Sequence, residues 1–385
     1  MRIAIVGGSL QGIEAVYLAK KAGYTAVVID KMNSAPAFSM ADESFVLDLT
    51  EQESDAMRIF KGCDAVLPAC DDISVLTKLD EMISKSRIQL LFDADAYKIS
   101  SSKSASNNMM ERIGVPTPKK WQQCGYPLVI KPSSQSNSIG VTVANDRKEA
   151  DEGIVKIMRI GDEPVVQEFV KGKNVSIEVI GNGNEFVSFV TTEMQMSGNY
   201  DCKRVRCLPG ILTREREEEF RKVAEAIAQS IDLGALMDVE AVDTEKGLKV
   251  LEIDACIPTQ TPAAILAATG INLLEELVCS RFGGTTGERE NKVSSYEHFL
   301  IDHGRMTSCG ENEFAAVRSL RTVRGLFGAD EMITDLEDGA DIWRCAMINS
   351  ADSEEELEKK RARCIRAIMD ECGINEFTDT YPKEI

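Results

Sequence analysis

The sequence has few of the residues that build a metal centre on nitrogen or sulfur. It contains only two histidines, His298 and His303, and its eleven cysteines include no CxxC pair. A standard zinc site needs four such ligands at short spacings, so the sequence excludes one. An odd number of cysteines without regular spacing also argues against a disulfide framework, and a reducing cytoplasm is the setting that we expect.

The chain also lacks a surplus of basic residues and a long apolar run. Its 385 residues include 44 Lys and Arg against 63 Asp and Glu, a formal net charge of −19. A nucleic-acid-binding protein needs a basic face, so we expect no nucleic-acid partner and interpret the charge as an acidic, solubilising surface. No stretch reaches the roughly 18 apolar residues of a membrane span, so we expect no membrane partner. The N-terminal "MRIAIVGGSLQG" is typical of a first strand and not of a secretory signal.

The first hundred residues alternate strand and helix patterns. The apolar runs "RIAIV", "TAVVID", "SFVLDL", "DAVLPA" and "IQLLFD" alternate with helix patterns near residues 10–22 and 73–84. This alternation predicts a parallel, doubly wound sheet. The turn "GGSLQG" resembles a dinucleotide fingerprint, but Ser9 stands where that fingerprint needs a glycine, which disfavours NAD. A small ligand at this turn is expected to lie near Leu10 and Gln11, whereas Glu14 is predicted to be exposed.

A lysine-bearing strand and a serine-rich loop follow a boundary segment near residue 100. In "YPLVIKPSSQSNSIGVTVA" an apolar strand at 128–130 delivers Lys131, and a second strand leaves the loop at 141–144. Backbone amides and serine hydroxyls in such a loop can hold phosphate oxygens, while Lys131 supplies a charge. A serine-rich surface hairpin is the alternative.

The rest of the chain predicts a mostly antiparallel central sheet and three long helices. Alternation in "NVSIEV" places Ser176 and Glu178 on one face of a strand. Helices are predicted at about 213–230, after "PTQTP", and after Ser353, which with Glu356 has the spacing of a capping box. The second of these helices is predicted to bury a group of apolar residues: Ile265, Leu266, Leu273, Leu274 and Leu277.

One hairpin carries most of the candidate chemistry. In "MDVEAVDTEKGLKVLEIDA", at 237–255, two apolar runs flank a polar turn, and the acids Asp238, Glu240, Glu252 and Asp254 alternate with the apolar residues. Such a set of like charges needs protons or cations, and oxygen ligands without His or Cys favour Mg²⁺. The alternative is that the acids face solvent or pair with Lys249.

The order of these motifs resembles that of an ATP-grasp carboxylate–amine ligase. A Rossmann-like start precedes Lys103, the "VIKP" lysine Lys131, the segment "QEFV", and then Glu240 and Glu252, twelve residues apart, before Asp254. The resemblance implies an α/β chain with the ATP-grasp fold. It implies a Rossmann-like domain at 1–97, a small lid subdomain at 98–180, a catalytic subdomain at 181–304 that completes the antiparallel sheet, and a small α+β region at 305–385.

The resemblance also implies roles for individual residues. Phosphate oxygens of ATP are expected to contact Lys103, Lys131, Ser133 and Ser134. Adenine is expected in the hinge, which comprises Gln167, Glu168, Phe169 and Val170. Two Mg²⁺ ions are expected on Glu240, Glu252 and Asp254. The last of these positions is often Asn in the family, and Asp254 keeps an oxygen ligand there.

Several stretches, among them "YDC", "MDVEA" and "PTQTP", resemble a narrower branch, the pyrrolysine-biosynthesis ligases. These join 3-methyl-D-ornithine to the ε-amine of L-lysine, and the ammonium groups of both substrates suit acidic pockets. Related enzymes commonly have an arginine where this chain has Cys256, and Arg204 and Arg206 are candidates to replace it in catalysis beside Lys131. The candidate substrate residues are Leu10, Gln11, Asp71, Asp72, Ser176, Glu178 and Asp238.

Alternatives remain open at this point. Asp71 and Asp72 precede a helix and fit N-capping as well as substrate binding. The function alternatives are another ATP-grasp ligase, a nucleotide-binding regulatory protein and an NAD-dependent oxidoreductase. The sequence leaves a monomer and a homo-oligomer equally open.

Overall fold

The computed structural model describes residues 1–135, 139–287, 289–315, 317 and 319–382. The chain forms two compact units, each built from separate stretches. The first unit comprises Met1–Ala94, Thr192–Ile211 and Cys256–Pro382, and the second comprises Asp95–Thr191 and Leu212–Ala255. The eleven cysteines all lie among the described residues, and none of them forms a disulfide bond.

The first unit begins with the predicted parallel sheet. Its elements are β1 (Arg2–Val6), α1 (Leu10–Lys21), β2 (Thr25–Asp30), β3 (Glu43–Val46), α2 (Glu53–Phe60), β4 (Ala65–Pro68), α3 (Ile73–Ile83) and β5 (Gln89–Leu90). The strand order β3-β2-β1-β4-β5 is that of a doubly wound sheet, as predicted. The turn after β1 needs glycine, because Gly7 has φ +110° and a Cβ there would lie 2.3 Å from the Ala69 carbonyl oxygen.

The second unit contains two antiparallel sheets. Its first stretch holds α4 (Ala94–Ser100), α5 (Lys103–Arg112), β6 (Leu128–Pro132), β7 (Thr142–Ala144), α6 (Arg147–Arg159), β8 (Pro164–Glu168), β9 (Lys173–Gly181) and β10 (Phe186–Ser188). A small sheet has the order β7-β6-β8. Its apolar face packs with α6 around Leu128, Ile130 and Ile157.

The chain then adds two strands to the first unit before it returns to the second. The strands β11 (Thr192–Met196) and β12 (Cys202–Cys207) pair in antiparallel fashion. The second unit is completed by α7 (Arg214–Ser230), β13 (Leu236–Thr244) and β14 (Gly247–Asp254). Here β13 pairs with both β14 and β9, and β10 pairs with the other edge of β9. The predicted helix at about 213–230 is therefore α7, and Thr213 caps it.

The remaining stretch completes the first unit. It holds α8 (Thr261–Thr269), α9 (Leu273–Phe282), β15 (Val293–Asp302), β16 (Arg305–Ser308), α10 (Glu311–Phe314), β17 (Arg321–Arg324), β18 (Glu331–Thr334), β19 (Ile342–Ala351), α11 (Glu354–Cys372) and β20 (Glu376–Asp379). The second sheet of this unit has the order β11-β12-β15-β19-β18-β17, and β16 joins β15 to β20. As predicted, Ser353 caps α11 by accepting a hydrogen bond from the backbone of Glu356.

The prediction of a single long helix after "PTQTP" is wrong. Two helices, α8 and α9, stand there and meet at an angle of 89°. Gly270 ends α8 in the left-handed conformation, and Asn272 caps α9 through its side chain. Four of the five residues predicted as core are buried, and Leu266 is half-buried.

No single helix among the described residues has the length and apolar composition of a membrane span, although α8 and α9 reach both when counted together.

Candidate active site

Three neighbouring strands of the second unit place polar side chains on one face. In the register, Asp238 of β13 pairs with Asp254 and Glu240 pairs with Glu252, which confirms the predicted hairpin. Across the other edge of β13, Glu178 pairs with Asp238 and Ser176 pairs with Glu240. Directly paired residues and residues two apart share a face. The result is two rows, Glu178–Asp238–Asp254 and Ser176–Glu240–Glu252, which we call the acidic grid.

The apolar half of the same alternation fixes this register. On the opposite face, Ile177, Val239 and Ile253 lie side by side and are almost completely buried. Sliding one strand by a single residue would expose its apolar residues and bury its acids. Hydrophobic burial therefore holds the carboxylates together in spite of their charge.

The grid has a strong electrostatic demand for cations. Burial first, and then the negative charges of Glu240, Asp254, Glu178 and Glu252, raise the pKa of Asp238 well above its usual range. Two unit charges about 5 Å apart, the spacing of directly paired residues, repel each other by about 3 kcal/mol at an effective dielectric constant near 20. Protons or bound cations are needed to hold five carboxyl groups at this spacing.

Two lysines supply the first of these cations. Lys103 lies at the start of α5, where its Nζ is 2.5 Å from Glu252 Oε1 and donates to the Gln135 carbonyl oxygen at 2.6 Å. Lys131, on β6, donates to the Leu251 carbonyl oxygen at 3.1 Å, and its Nζ is 4.0 Å from Glu252 Oε2. Each lysine is only 8% exposed, and burial lowers the pKa of Lys131. Glu252 thus connects both ammonium groups to the grid.

The serine loop is anchored to the start of α5. Ser133 Oγ accepts a hydrogen bond from the Ser104 backbone at 3.2 Å, and the Ser133 carbonyl accepts one from the Lys103 backbone at 2.9 Å. Ser134 is exposed and donates to Asp162 at 2.6 Å. Residues 136–138, the middle of the loop that is predicted to hold phosphate oxygens, lie outside the described residues.

The predicted hinge begins with the last two residues of β8 and continues beyond the strand. Gln167 is buried, while Glu168, Phe169 and Val170 are half-buried. The Glu168 carboxylate accepts from the Lys119 backbone at 3.0 Å and from Lys249 Nζ at 3.1 Å. Lys249 therefore pairs with the hinge, which argues against the alternative in which it neutralises the hairpin acids.

The donor atoms of the grid fit magnesium and a nucleotide. Glu240, Glu252 and Asp254 offer only oxygen atoms, and Mg²⁺ prefers such ligands and commonly shares its shell with phosphate oxygens. No histidine or cysteine stands among the paired positions of the three strands. Lys103 and Lys131 carry the point charges that phosphate groups need.

The first unit holds the other predicted substrate residues. Leu10 and Gln11 begin α1, and Gln11 Nε2 donates to Asp71 Oδ1 and to Cys256 Sγ, each at 3.1 Å. Asp72 caps α3 by accepting hydrogen bonds from the backbones of Ser74 and Val75. The capping interpretation is thus confirmed for Asp72, and its contact with a substrate stays a prediction.

The prediction that Glu14 is exposed is wrong. Its side chain is 2% exposed and accepts a hydrogen bond at 2.8 Å from the backbone of Ala263, near the N-terminus of α8. The partner lies 249 residues further along the chain, so no local pattern around Glu14 indicates this contact.

Arg204 and Arg206 lie on β12 and bind carboxylates of the first unit. Arg204 pairs with Glu358 at 2.6 Å, and its Nε is 3.6 Å from the buried Glu297. Arg206 pairs with Glu193 at 2.6 Å and with Glu354 at 2.8 Å. Sequence reasoning missed these acidic partners, because they come from separate elements. The predicted role of both arginines towards phosphate stays a prediction.

Comparisons with known proteins agree with this geometry. Residues 100–260 match the ATP-grasp domain family, and residues 3–91 match the family described as PylC-like, N-terminal domain. The 3-methyl-D-ornithine–L-lysine ligase of Methanosarcina mazei is 36% identical over 313 residues, which are 80% of this chain and 81% of that protein.

Solved structures share the fold at lower identity. The ADP complex of an N5-carboxyaminoimidazole ribonucleotide synthetase matches with a TM-score of 0.72 and 18% identity, covering 96% of this chain and 97% of that one. The biotin carboxylase domain of a 2-oxoglutarate carboxylase from Hydrogenobacter thermophilus, solved with MgADP, has a TM-score of 0.72 and 16% identity, covering 95% and 89%. The predicted fold is thereby confirmed, and the chain belongs to the ATP-grasp family as an ATP-dependent carboxylate–amine ligase with a PylC-like N-terminal domain.

Proposed function

We propose that this ligase joins the carboxylate of 3-methyl-D-ornithine to the ε-amine of L-lysine and releases ADP and phosphate. The observation that carries the proposal is the acidic grid, which has more carboxylates than two metal ions require. Glu178 and Asp238 remain after Glu240, Glu252 and Asp254 are assigned to Mg²⁺, and both are buried. Such acids suit substrates that carry ammonium groups. Identity of 36% to a ligase of this specificity supports the same choice.

The chemistry explains why ATP is consumed. A free carboxylate does not react with an amine, because oxide would have to leave. Transfer of the γ-phosphoryl group to the carboxylate oxygen gives a mixed anhydride and ADP. The neutral ε-amine then attacks the carbonyl carbon, the carbon–oxygen bond to phosphate breaks, and an amide and phosphate result. The amine gives up a proton in the process.

The second unit is assigned the nucleotide and its charge. Lys103 and Lys131 neutralise phosphate oxygens, and Ser133 and Ser134 add hydroxyl contacts. Adenine binds along the hinge residues Gln167, Glu168, Phe169 and Val170. Glu240, Glu252 and Asp254 hold two Mg²⁺ ions, which when bound neutralise the charge of the transferring phosphoryl group. The serine loop excludes water and so protects the acylphosphate from hydrolysis.

Substrate residues are assigned in both units. Ser176, Glu178 and Asp238 bind one diamino acid from the second unit, and Leu10, Gln11, Asp71 and Asp72 bind an amino acid from the first. Arg204 and Arg206 are assigned to phosphate in place of the arginine that related enzymes have at the position of Cys256.

The test is ADP release by the purified protein with ATP and magnesium. D-ornithine stands in for its methylated form, L-lysine is present or omitted, and products are weighed by mass spectrometry. The proposal expects ADP together with a mass equal to ornithine plus lysine less water. ADP release that depends on a different amino acid would reject this substrate pair and keep the ligase. Tight ATP binding without turnover of any pair would favour a regulatory protein.

A further inference from the structure

Two buried acids of the first unit have no role in the chemistry described so far. Asp201 precedes β12 and Glu311 opens α10, and each side chain is only 8% exposed. The chain approaches closely here, because a Cβ on Gly310 would lie 2.0 Å from Asp201 Oδ2. Asp201 therefore lies against the start of α10, and its negative charge acts on Glu311.

Their hydrogen-bond donors are neutral groups. Asp201 Oδ2 accepts from the Asn312 backbone at 3.1 Å, and the Asn312 side chain and the Glu311 backbone also hydrogen-bond to the Asp201 carboxylate and lower its pKa. Glu311 Oε2 accepts from Thr259 Oγ1 at 2.6 Å and from Gln260 Nε2 at 3.2 Å. Within the described part of the chain, neither acid forms an ion pair with a lysine or an arginine. Buried carboxylates are ordinarily paired, so this arrangement has a charge left to satisfy.

Two buried acceptor atoms of this cluster, one on Asp201 and one on Gln260, can each accept a further hydrogen bond. Among the described residues, Asp201 Oδ1 and Gln260 Oε1 are buried without a hydrogen-bond partner. Gln260 is 3% exposed, and its backbone φ of +68° is one that residues other than glycine rarely adopt. Its side-chain amide is held by two hydrogen bonds, from Nε2 to Glu311 Oε2 at 3.2 Å and to the Cys202 carbonyl oxygen at 3.4 Å. A buried acceptor without a donor destabilises the folded protein.

The electrostatics of the cluster also favour the binding of a positive charge. Burial raises the pKa of Asp201 and of Glu311, and the negative charges of Asp201 and Asp71 raise that of Glu311 further. Asp71 is also the acceptor for Gln11. The cluster thus interacts electrostatically with the residues to which the proposed function assigns an amino-acid substrate.

We propose that Asp201, Gln260 and Glu311 form a binding site for a primary ammonium group of one of the two amino-acid substrates. The identity of those substrates rests on the proposed function. An ammonium group brings one positive charge and three N–H donors, which match two carboxylates and one amide oxygen. The bound group is not the attacking amine, because an ammonium held by two acids keeps its proton. Three ammonium groups remain, and we assign the site to one of the two that lie far along the molecule from the reacting carboxylate or amine: the side-chain ammonium of the ornithine or the α-ammonium of the lysine.

Two charge-removing variants test the site. Asp201→Asn and Glu311→Gln keep the shape of each side chain, and they remove buried charge, so we expect both to fold. Glu313→Gln is the matched control, because Glu313 lies exposed on the same helix. Each protein is assayed with D-ornithine against D-norvaline, which lacks the side-chain amine, and with L-lysine against 6-aminohexanoate, which lacks the α-amine.

We expect the preference for the ammonium-bearing compound, measured as a ratio of kcat/KM values, to fall at least tenfold in both variants for one of the pairs. The loss should come mainly from a higher KM for the ammonium-bearing compound. The KM of ATP and the kcat/KM ratio of the other pair should be unchanged. The affected pair identifies which ammonium binds. Wild-type preference in both pairs overturns the proposal, and so does an equal loss for all four compounds, which would mean a structural role. If one variant fails to fold, the other decides.

Failure of the proposed function is distinguishable. In that case wild-type protein releases no ADP, and the site is tested by the melting temperature with each of the four compounds. A shift with an ammonium-bearing compound that exceeds the shift with its analogue, and that is lost in the two variants but kept in Glu313→Gln, supports the site. Equal shifts in wild type and variants, or no shifts, overturn it.

Discussion

Glu252 is the residue on which the charges of the second unit converge, since it contacts Lys103 at 2.5 Å and faces Glu240 across the hairpin. We predict that Glu252→Gln reduces turnover by about 100-fold or more, a typical loss for removal of one electrostatic partner of the reacting group. The reason is the loss of a negative charge that the proposed function assigns to the metal ions. The measurement is ADP release at saturating ATP over a magnesium titration.

Glu245→Gln is the control for this change, because Glu245 lies exposed in the turn of the same hairpin. It should keep wild-type turnover. Wild-type turnover in a folded Glu252→Gln protein would remove Glu252 from the metal site.

His298 makes stability dependent on pH. Its ring is buried, stacked on Phe314 at 4.6 Å and edge-on to Tyr296 at 5.1 Å, and burial lowers its pKa from 6.5 to about 3. The unfolded chain therefore binds a proton at higher pH than the folded chain. Stability is complete above pH 6.5 and falls as the pH decreases towards 3, by about 2 kcal/mol at pH 5.

We predict that the free energy of unfolding falls about 2 kcal/mol more between pH 7 and pH 5 in the wild type than in His298→Phe. Chemical denaturation at both pH values measures the difference. His303, the other histidine, is exposed, and Asp302 raises its pKa, so its protonation does not oppose folding. His303→Gln should retain the full acid loss, and an equal loss in His298→Phe would contradict the assignment.

At the scale of elements, the cap of α3 separates two interpretations of Asp72. Its carboxylate accepts hydrogen bonds from the first turn of the helix. We predict that Asp72→Ala lowers the free energy of unfolding by about 1 kcal/mol, whereas Asp72→Asn keeps it, because Asn is an equally good cap. Denaturation of both variants checks this, and equal losses would exclude capping as the cause.

The same pair of variants decides the substrate role of Asp72. A raised KM for an amino acid in Asp72→Asn, at wild-type stability, would assign a substrate contact in addition to the cap. An unchanged KM would remove Asp72 from the substrate residues.

Elements defined by local patterns could be predicted from the sequence, and those that depend on distant partners could not. The hairpin of β13 and β14 was predictable because alternation and a polar turn fix its register within a few residues. The break between α8 and α9 depends on Gly270, which a continuous apolar pattern hides. Ser176 and Glu178 were predicted to share a face, but their place beside Asp238 and Glu240 depends on strand order, which periodicity does not encode.

The candidate site divides in the same way. The hairpin acids and Lys131 belong to short motifs that residue type and spacing single out as candidates, whereas Lys103 is a candidate only through the family resemblance. The pairs Lys103–Glu252 and Lys249–Glu168 join residues more than 80 positions apart, so no local sequence pattern predicts these ion pairs. Asp201 and Glu311 also come from distant stretches, and each taken alone is an ordinary acid.

At the scale of the whole molecule, ligand binding should stabilise the folded protein. We predict that MgATP at about 100 times its dissociation constant raises the free energy of unfolding by about 2.7 kcal/mol, and that NAD has no effect. NAD should have no effect for two reasons. Ser9 interrupts the dinucleotide motif. Asp30, which ends β2 where a dinucleotide-binding domain has the acid that binds the ribose, already accepts hydrogen bonds from the backbones of Gly8 and Met32, each at 2.7 Å. Denaturant titration measures both ligands.

The metal-dependent part of this stabilisation should be absent in Glu252→Gln and present in the exposed variant Glu245→Gln. Stabilisation by NAD and not by MgATP would reject the nucleotide assignment.

The interleaving of the two units has a consequence for biosynthesis. The second unit has all its strands once residue 255 has been made, whereas the first unit receives its last strand only at residues 376–379. Its amino-terminal sheet therefore leaves the ribosome long before the strands that complete its unit. During translation the amino-terminal sheet, whose five strands and core lie within residues 2–90, can form first, the second unit can follow, and the rest of the first unit is completed only when synthesis is nearly over.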